Sequence, residues 1–322
     1  MNSREIVTKT IDYDNPVRLA RSFAPSDIVF TRHKVKTLDT QWRRKDGVWR
    51  KYDEWGNLWG RIDSTSKGEV VKGCISDLKE IESLELPDYS NSDDYKNVKT
   101  DRTAYEDFYL VGKLGGLTFS VARKMRRMDQ YLMDLVTEPD LIHALHDRID
   151  ELIESMIINY ADAGVDAVMF WEDWGTQQHL LISPQMWRAE FLPRFQRHCK
   201  TAHNKGIKII MHSCGQIGAI VDELAAAGID VFQFDQPRLH GFDRLAEYQD
   251  TRRVTIWSPV DIQDTLQSKK EELIRADAAE MVKKLFRGRG GFIAGFYEDE
   301  ASIGLDSRWQ EIAADQFIKS GC

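Results

Sequence analysis

The sequence predicts an α/β protein folded as a (β/α)8 TIM barrel, with a small antiparallel β appendage in its N-terminal part. Three observations lead there. From about residue 107, apolar strand-like runs alternate with amphipathic helical stretches, the rhythm of a parallel sheet with right-handed crossovers. A glycine stands just before several of these runs (Gly164, Gly206, Gly228 and Gly291), where a helix must end before a strand begins. Polar and aromatic residues gather at the C-terminal ends of successive strands, where barrel enzymes assemble their sites. No G-x-G-x-x-G follows a strand, which disfavours an open dinucleotide-binding sheet.

Residues 1–105 form a segment of different character. Between 29 and 72, VFTRHKVKT and KYDEWGNLWGRI alternate apolar with polar residues, and Asp46-Gly47 and Gly56-Asn57 supply turns. This pattern predicts antiparallel hairpins packed on the barrel rather than βα units. The polar stretch from Pro87 to Arg102 reads as a surface loop.

Residues 106–322 hold the main part of the barrel, and the whole chain reads as a single structural domain. FYLVGKLGG is a short strand ending in glycines. Leu141, Ile142, Leu145, Ile149, Leu152, Ile153, Met156, Ile157 and Tyr160 recur at helical spacing, predicting a helix over 138–162. VDAVMFWED is the next strand, a helix runs from Pro184 to about Lys205, and IKIIMHSCG follows as a strand. AIVDELAAAG and HGFDRLAEYQD are helices flanking the strand IDVFQFDQ. RRVTIWSPVD is a strand and loop, a helix spans roughly 269–287, and GGFIAGFYED is the last strand.

Composition narrows the function classes. The 322 residues carry 44 basic and 52 acidic side chains, a net charge of −8, so no electrostatic footprint for nucleic acid exists. The basic run from Arg123 to Arg127 reads as a solvated helix face. Cys74, Cys199, Cys214 and Cys322 are scattered without a disulfide-like framework, which fits a reducing compartment. No apolar run reaches the roughly 18–20 residues that cross a bilayer, and MNSREIVTKTIDYDNP lacks a signal-peptide core. A cytoplasmic protein without a membrane partner is expected.

GIKIIMHSCG carries the sharpest chemical signal. On a strand, residues i and i+2 share a face, so His212 and Cys214 project side by side as an imidazole and a thiolate, a donor pair suited to Zn²⁺. Asp235 ends the following strand, a few ångströms away in a closed barrel, and completes a candidate metal set. Gln233 shares its face and faces the metal or its ligand. Glu172, Asp173 and Gln177 lie just past a strand end as candidate catalytic groups; one of the two adjacent carboxylates must point away from the cleft. Tyr297, Glu298 and Asp299 close the last strand. Trp171, Trp174 and Trp257 near strand ends suit a flat apolar or aromatic ligand. His179 reads as a loop residue, and Cys322 as a terminal residue that is no ligand.

DWGTQQHLLISPQMWRAEFLPRF, HNKGIKIIMHSCGQIGAIVDELAAAGIDVFQFDQP, VDIQDTL, GGFIAGFYED and DEWGNLWGRIDSTSKGEVV together resemble the uroporphyrinogen decarboxylase-like superfamily. Within it, the resemblance is closer to the cobamide-linked methyltransferases. D-W-G-T-Q and H-S-C-G are the most specific motifs, and the likeness covers most of the chain. The decarboxylase's Arg-Gln-Ala-Gly-Arg segment, which grips porphyrinogen carboxylates, is absent from NPVRLARSFAPSD; Arg18 and Arg21 are only a loose echo.

The resemblance implies a barrel that binds zinc through H-x-C and a later cysteine. His212 and Cys214 match, but Phe296 and Tyr297 stand where that cysteine would be. A Glu one strand after H-x-C in the related cobalamin-independent methionine synthases points to Asp235, with Glu298 or Glu172 as fourth ligand. The implied activity moves a methyl group between a small methylated substrate or thiol and a corrinoid. D-x-H-x-x-G is absent, so the methylcobamide would be carried by a corrinoid partner protein. A symmetric homodimer is a further family-level implication. A metal-free decarboxylase acting on a small carboxylated substrate is the alternative.

Overall fold

A computed structural model of the chain describes residues 1–35 and 40–321; Cys322, and Lys36 and Thr37 of the expected alternation, lie outside them. In chain order the strands are β1 (Ala20–Arg21), β2 (Ile28–Thr31), β3 (Arg43–Lys45), β4 (Val48–Tyr52), β5 (Leu58–Arg61) and β6 (Glu69–Lys72). They continue with β7 (Tyr109–Gly115), β8 (Ala167–Trp171), β9 (Lys208–His212), β10 (Val231–Gln233), β11 (Thr255–Ser258) and β12 (Phe292–Ala294). Eight of them form one parallel sheet in the order β1-β12-β11-β10-β9-β8-β7-β2, surrounded by helices. Its two edges meet at Asp27, whose N–H donates to the Arg21 carbonyl at 2.9 Å. The buried Asp27 carboxylate accepts from the Arg21 N–H (3.0 Å), Ser3 Oγ (2.7 Å) and the Arg18 guanidinium (2.7 Å). The result is a nearly closed TIM barrel.

The strands are apolar on both faces because both are covered. Outward residues such as Leu110, Val168, Phe170, Ile209, Met211, Phe232 and Ile256 pack beneath the helices. Inward residues Val111, Ala167, Met169, Ile210, Val231, Trp257 and Ile293 fill the barrel. Its N-terminal end is closed by Ile6, Val7 and Ile11 of helix Ser3–Asp12, which starts with an Asn2/Glu5 capping box. Since side chains alternate along a strand, each inward position leads two residues on to a group at the barrel mouth: Val111 to Lys113, Trp171 to Asp173, Ile210 to His212 and then Cys214, Val231 to Gln233 and then Asp235.

The appendage is a four-stranded antiparallel sheet, β3-β4-β5-β6. Its first turn places Asp46 and Gly47 at φ 51° and 80°, the left-handed pair that a two-residue hairpin demands. The helix Thr118–Arg126 anchors it: Arg126 donates to the Ser76 carbonyl at 2.6 Å and to Asp134 at 2.7 Å. Lys124 sits 5.8 Å from the Trp59 ring. Lys124 and Arg126 of the basic run therefore form a seam between appendage and barrel, while Arg127 is solvated as expected.

Other expectations are corrected as well. Ile28–Thr31, expected in the antiparallel part, pairs in parallel with β7 and is a barrel strand. The Pro87–Arg102 loop instead holds a 3-10 turn and the start of helix Lys96–Ala104. The helix predicted from Pro184 breaks at Phe191 into Pro184–Glu190 and Leu192–Asn204, because Pro193 removes a backbone donor. No helix among the described residues is long and apolar enough to cross a membrane.

One buried cluster predicts a pH response. His33 packs among Tyr89, Tyr95 and Tyr160. Tyr160 Oη donates to the Lys113 carbonyl (2.7 Å), so His33 Nδ1–H donates to Tyr160 Oη (2.9 Å) and Nε2 has no partner. Burial, with Arg32 nearby, pushes the imidazole down to about 4 from 6.5. The unfolded chain therefore binds a proton the folded chain refuses. Stability from this residue is full above pH 6.5 and is lost as pH falls towards 4, by up to about 3 kcal/mol. Denaturant unfolding of wild type and His33→Phe at pH 7 and pH 4.5 checks this: the variant should lose clearly less stability on acidification.

Candidate metal centre at the barrel mouth

A cavity of about 450 Å³ opens at the C-terminal ends of the strands. Its floor is set by lateral register, with His212 of β9 level with Trp171 of β8 and Gln233 of β10. Cys214 follows two residues on, and its Sγ lies 3.3 Å from His212 Nε2. Asp173 Oδ1 lies 3.5 Å from the same nitrogen. Donor atoms of these three side chains all fall within 4.8 Å of one another.

Two glycines make that approach possible. Gly175 and Gly215 stand back to back; a Cβ on Gly175 would meet Gln216 N at 2.6 Å and the Gly215 carbonyl carbon at 2.7 Å. The loops are tied by Gln216 N–H to the Thr176 carbonyl at 2.7 Å. Asp173 is held in turn by the Cys214 N–H, at 3.0 Å from Oδ1. Thus the glycines of D-W-G-T-Q and H-S-C-G bring the carboxylate of one motif to the thiol of the other.

The protonation of His212 follows from its neighbours. Gln233 Nε2 donates to Asp235 Oδ1 at 2.8 Å, which turns Gln233 Oε1 towards His212 Nδ1. Nδ1 therefore carries a hydrogen, and it is Nε2 that faces Cys214 and Asp173 and is turned to ligate an ion. A ligating histidine is commonly oriented this way by a partner on its other nitrogen. Burial, then the Asp173 and Asp235 carboxylates, push the Cys214 thiol well above its ordinary range. Such a thiol stays protonated unless a cation is placed beside it.

The donor set fits zinc. Bond lengths of about 2.0–2.3 Å to N, O and S in a tetrahedron imply donor–donor edges of roughly 3.4–3.6 Å. The Nε2 contacts at 3.3 and 3.5 Å agree. Imidazole, thiolate and carboxylate supply three corners, and the cavity offers the open fourth that catalytic zinc sites keep.

The other expected residues distribute as follows. Asp235 lies 4.0 Å from His212 Nδ1, on the far side of the ring from the three donors. Glu172 is fully buried behind β8, where Oε1 accepts from the Leu117 and Ser120 N–H groups at 2.7 and 3.0 Å. Burial pushes its carboxyl up to about 7, against those two N–H groups and Arg123. Trp174 is equally buried, stacked on Phe119 at 4.0 Å and edge-on to Phe191 at 4.7 Å, so it lies outside the cavity lining. Gln177 is exposed and bonds to Gln236, which does line the cavity. Trp257, Tyr297 and Glu298 line it too; Glu298 stands outside the three-donor cluster. Neither Arg18 nor Arg21 lines it.

Several lining residues escaped the sequence reading. Lys67, in the β5–β6 loop of the appendage, reaches Tyr297 Oη at 2.9 Å and Asp299 at 3.7 Å. Phe30 of β2 stacks on Trp257 at 6.0 Å between ring centres. Lys113 was legible as the inward position two after Val111, whereas Lys67 had no local signal.

A (β/α)8 barrel with nitrogen, sulfur and oxygen donors converging at its mouth defines the class. The uroporphyrinogen decarboxylase (URO-D) family model matches residues 63–296, and the chain belongs to that family. Among solved structures, it is similar to a methyltransferase from Methanosarcina mazei at 16% identity and a TM-score of 0.60. That match covers 82% of this chain and 76% of the other. A B12-independent methionine synthase from Shewanella sp. W3-18-1, in complex with selenomethionine, matches at 11% identity and a TM-score of 0.44. It covers 98% of this chain and 86% of the other. No curated protein sequence matches.

The glycine contact is directly testable. Gly175→Ala forces a methyl into backbone and should cost about 1–3 kcal/mol. Gly206→Ala, at φ +76° with open space around its Cβ, should cost about 1 kcal/mol. Thermal melts of the two variants should rank in that order; equal melts would mean the motif loops separate freely.

Proposed function

We propose that the chain is a zinc-dependent methyltransferase of the URO-D family, moving a methyl group between a small substrate and a corrinoid carried by a partner protein. The observation that carries this reading is the convergence of His212 Nε2, Cys214 Sγ and the Asp173 carboxylate beside an open cavity. These three side chains would hold the ion, Gln233 and Asp235 would fix the imidazole, and Trp171, Trp257 and Phe30 would pack the substrate. Zinc bound there would supply Lewis acidity, activating a methyl donor's leaving oxygen or nitrogen, or lowering the pKa of a bound thiol. Tyr297 Oη accepts from Lys67 and keeps its own hydrogen to donate to a leaving oxygen. The corrinoid protein would dock over the mouth beside the appendage. A reducing, cytoplasmic setting suits the free thiol of Cys214.

The reaction for which the family is named supports a second reading, a metal-free decarboxylase of a small carboxylated substrate. Under it, Cys214→Ala keeps activity and the protein holds no zinc.

Metal analysis of the purified protein separates the two. Wild type should hold about one zinc per chain, and His212→Ala, Cys214→Ala and Asp173→Ala should each hold far less; trace zinc in wild type would defeat the methyltransferase reading. Competition with a chromogenic chelator should show Gln233→Leu weakening zinc about 10–100-fold through loss of the imidazole's partner. An unchanged affinity would remove Gln233 from that role.

A further inference from the structure

Lys113 is the feature of the cavity that neither the fold nor the proposed metal set uses. Tyr160 fixes its backbone: the phenol donates to the Lys113 carbonyl at 2.7 Å, and its ring fills the space beside Gly112, where a Cβ would come within 2.5 Å. The side chain turns inward between two rings, with Nζ 4.4 Å from the centre of Phe30 and 6.0 Å from that of Trp171. Ring faces offset part of the charge but accept none of the ammonium's ordinary hydrogen bonds. Among the described residues, Lys113 Nζ has neither a carboxylate partner nor a hydrogen-bond acceptor. The other cavity cation, Lys67, is already engaged by Tyr297 and Asp299.

We propose that Lys113 recognises a single carboxylate on a small substrate whose carbon skeleton packs against Phe30, Trp171 and Trp257. This deepens the proposed function and rests on its reading of the cavity as the substrate site. Charge selects the class. Asp173, Asp235, Glu298 and Asp299 line the same cavity and oppose a multiply charged ligand, while one ammonium without a counter-ion matches one negative charge. No arginine is among the described lining residues, so the bidentate clamps that polycarboxylates or phosphates favour are missing. The near-parallel Phe30 and Trp257 rings, 14° apart, suit a flat skeleton.

Calorimetric titration of the protein as purified, with benzoate, benzamide and phenylphosphonate as probes, tests this. Benzoate should bind at least about tenfold more tightly than its neutral or dianionic analogue, the scale of one charge-assisted contact. Lys113→Met should bring benzoate down to the level of benzamide and leave benzamide unchanged, which also shows that the cavity is intact. Lys113→Arg should retain most of the preference, and with wild type it decides the matter should Lys113→Met fail to fold. Benzoate binding no better than benzamide, tighter phenylphosphonate binding, or a benzoate affinity untouched by Lys113→Met would each overturn the proposal; the last is the signature of a carboxylate on the metal. Zinc content measured on the same samples keeps the two readings apart. Zinc without carboxylate preference sinks this inference alone, and carboxylate preference without zinc sinks the methyltransferase reading.

Discussion

The arrangement of the mouth depends on the lateral register of three adjacent parallel strands. His212 stands level with Trp171 and Gln233, so its ring has an aromatic wall on one side and an amide on the other. Had β9 slipped by one residue, Met211 would face inward and the imidazole would lie under the helices. Both faces of the sheet are packed apolar cores, so an odd shift would have to refit side-chain shapes on both and bury the polar groups of the mouth. The closure at Asp27 completes the ring that puts Lys113, on β7, and Trp257, on β11, into the same cavity.

Much of the fold was legible because helices and inner strands announce themselves by period. The runs around β7 to β12 and the Asp46-Gly47 hairpin follow from spacing and turn chemistry alone. Ile28–Thr31 was misassigned because four residues followed by a polar stretch do not reveal their pairing partner, which lies at Tyr109–Gly112. Within the site, His212 and Cys214 were read from their two-residue spacing. The same parity, carried along β8 from Ala167 through Met169 and Trp171, assigns Asp173 to the mouth and sends Glu172 and Trp174 outward. The sequence reading left that choice open and kept Glu172 and Trp174 as site candidates; both are fully buried beneath helices. Asp235 also obeys parity, yet it meets the opposite ring nitrogen, since a strand pattern gives a face but not the side of the ring. That distinction is set by the Gly175–Gly215 contact, which is tertiary and invisible to local pattern.

The appendage illustrates the same limit at longer range. Its β5–β6 loop delivers Lys67 across 230 residues of chain to Tyr297. Lys67 brings a positive charge to a rim that also carries Glu298 and Asp299, and it ties the last barrel strand's loop to the antiparallel sheet. The seam that seats the sheet consists of the basic residues of helix Thr118–Arg126, whose partners are the Ser76 carbonyl, Asp134, Asp173 and aromatic rings. One of them, Arg123, lies 3.7 Å from the Asp173 carboxylate, so the helix that seats the appendage also sets a positive charge beside the mouth.

The identity of the third donor bears on the chemistry the site favours. A second cysteine would place another full negative charge and a soft, polarisable sulfur against a bound divalent ion; such a set tempers Lewis acidity and suits the alkylation of a thiolate. Here the corresponding stretch is Phe296-Tyr297, and in the proposed zinc site the third donor would be the carboxylate of Asp173, already shared with the Cys214 N–H and facing Arg123. Part of its charge is thus spent within the protein, and less remains to neutralise an ion. A less neutralised ion there would polarise a neutral ether or amine more strongly, with the Tyr297 hydroxyl on the same wall as a candidate hydrogen-bond donor. Under the proposed function, the balance of donors would therefore favour activation of a methyl donor over activation of a thiol acceptor.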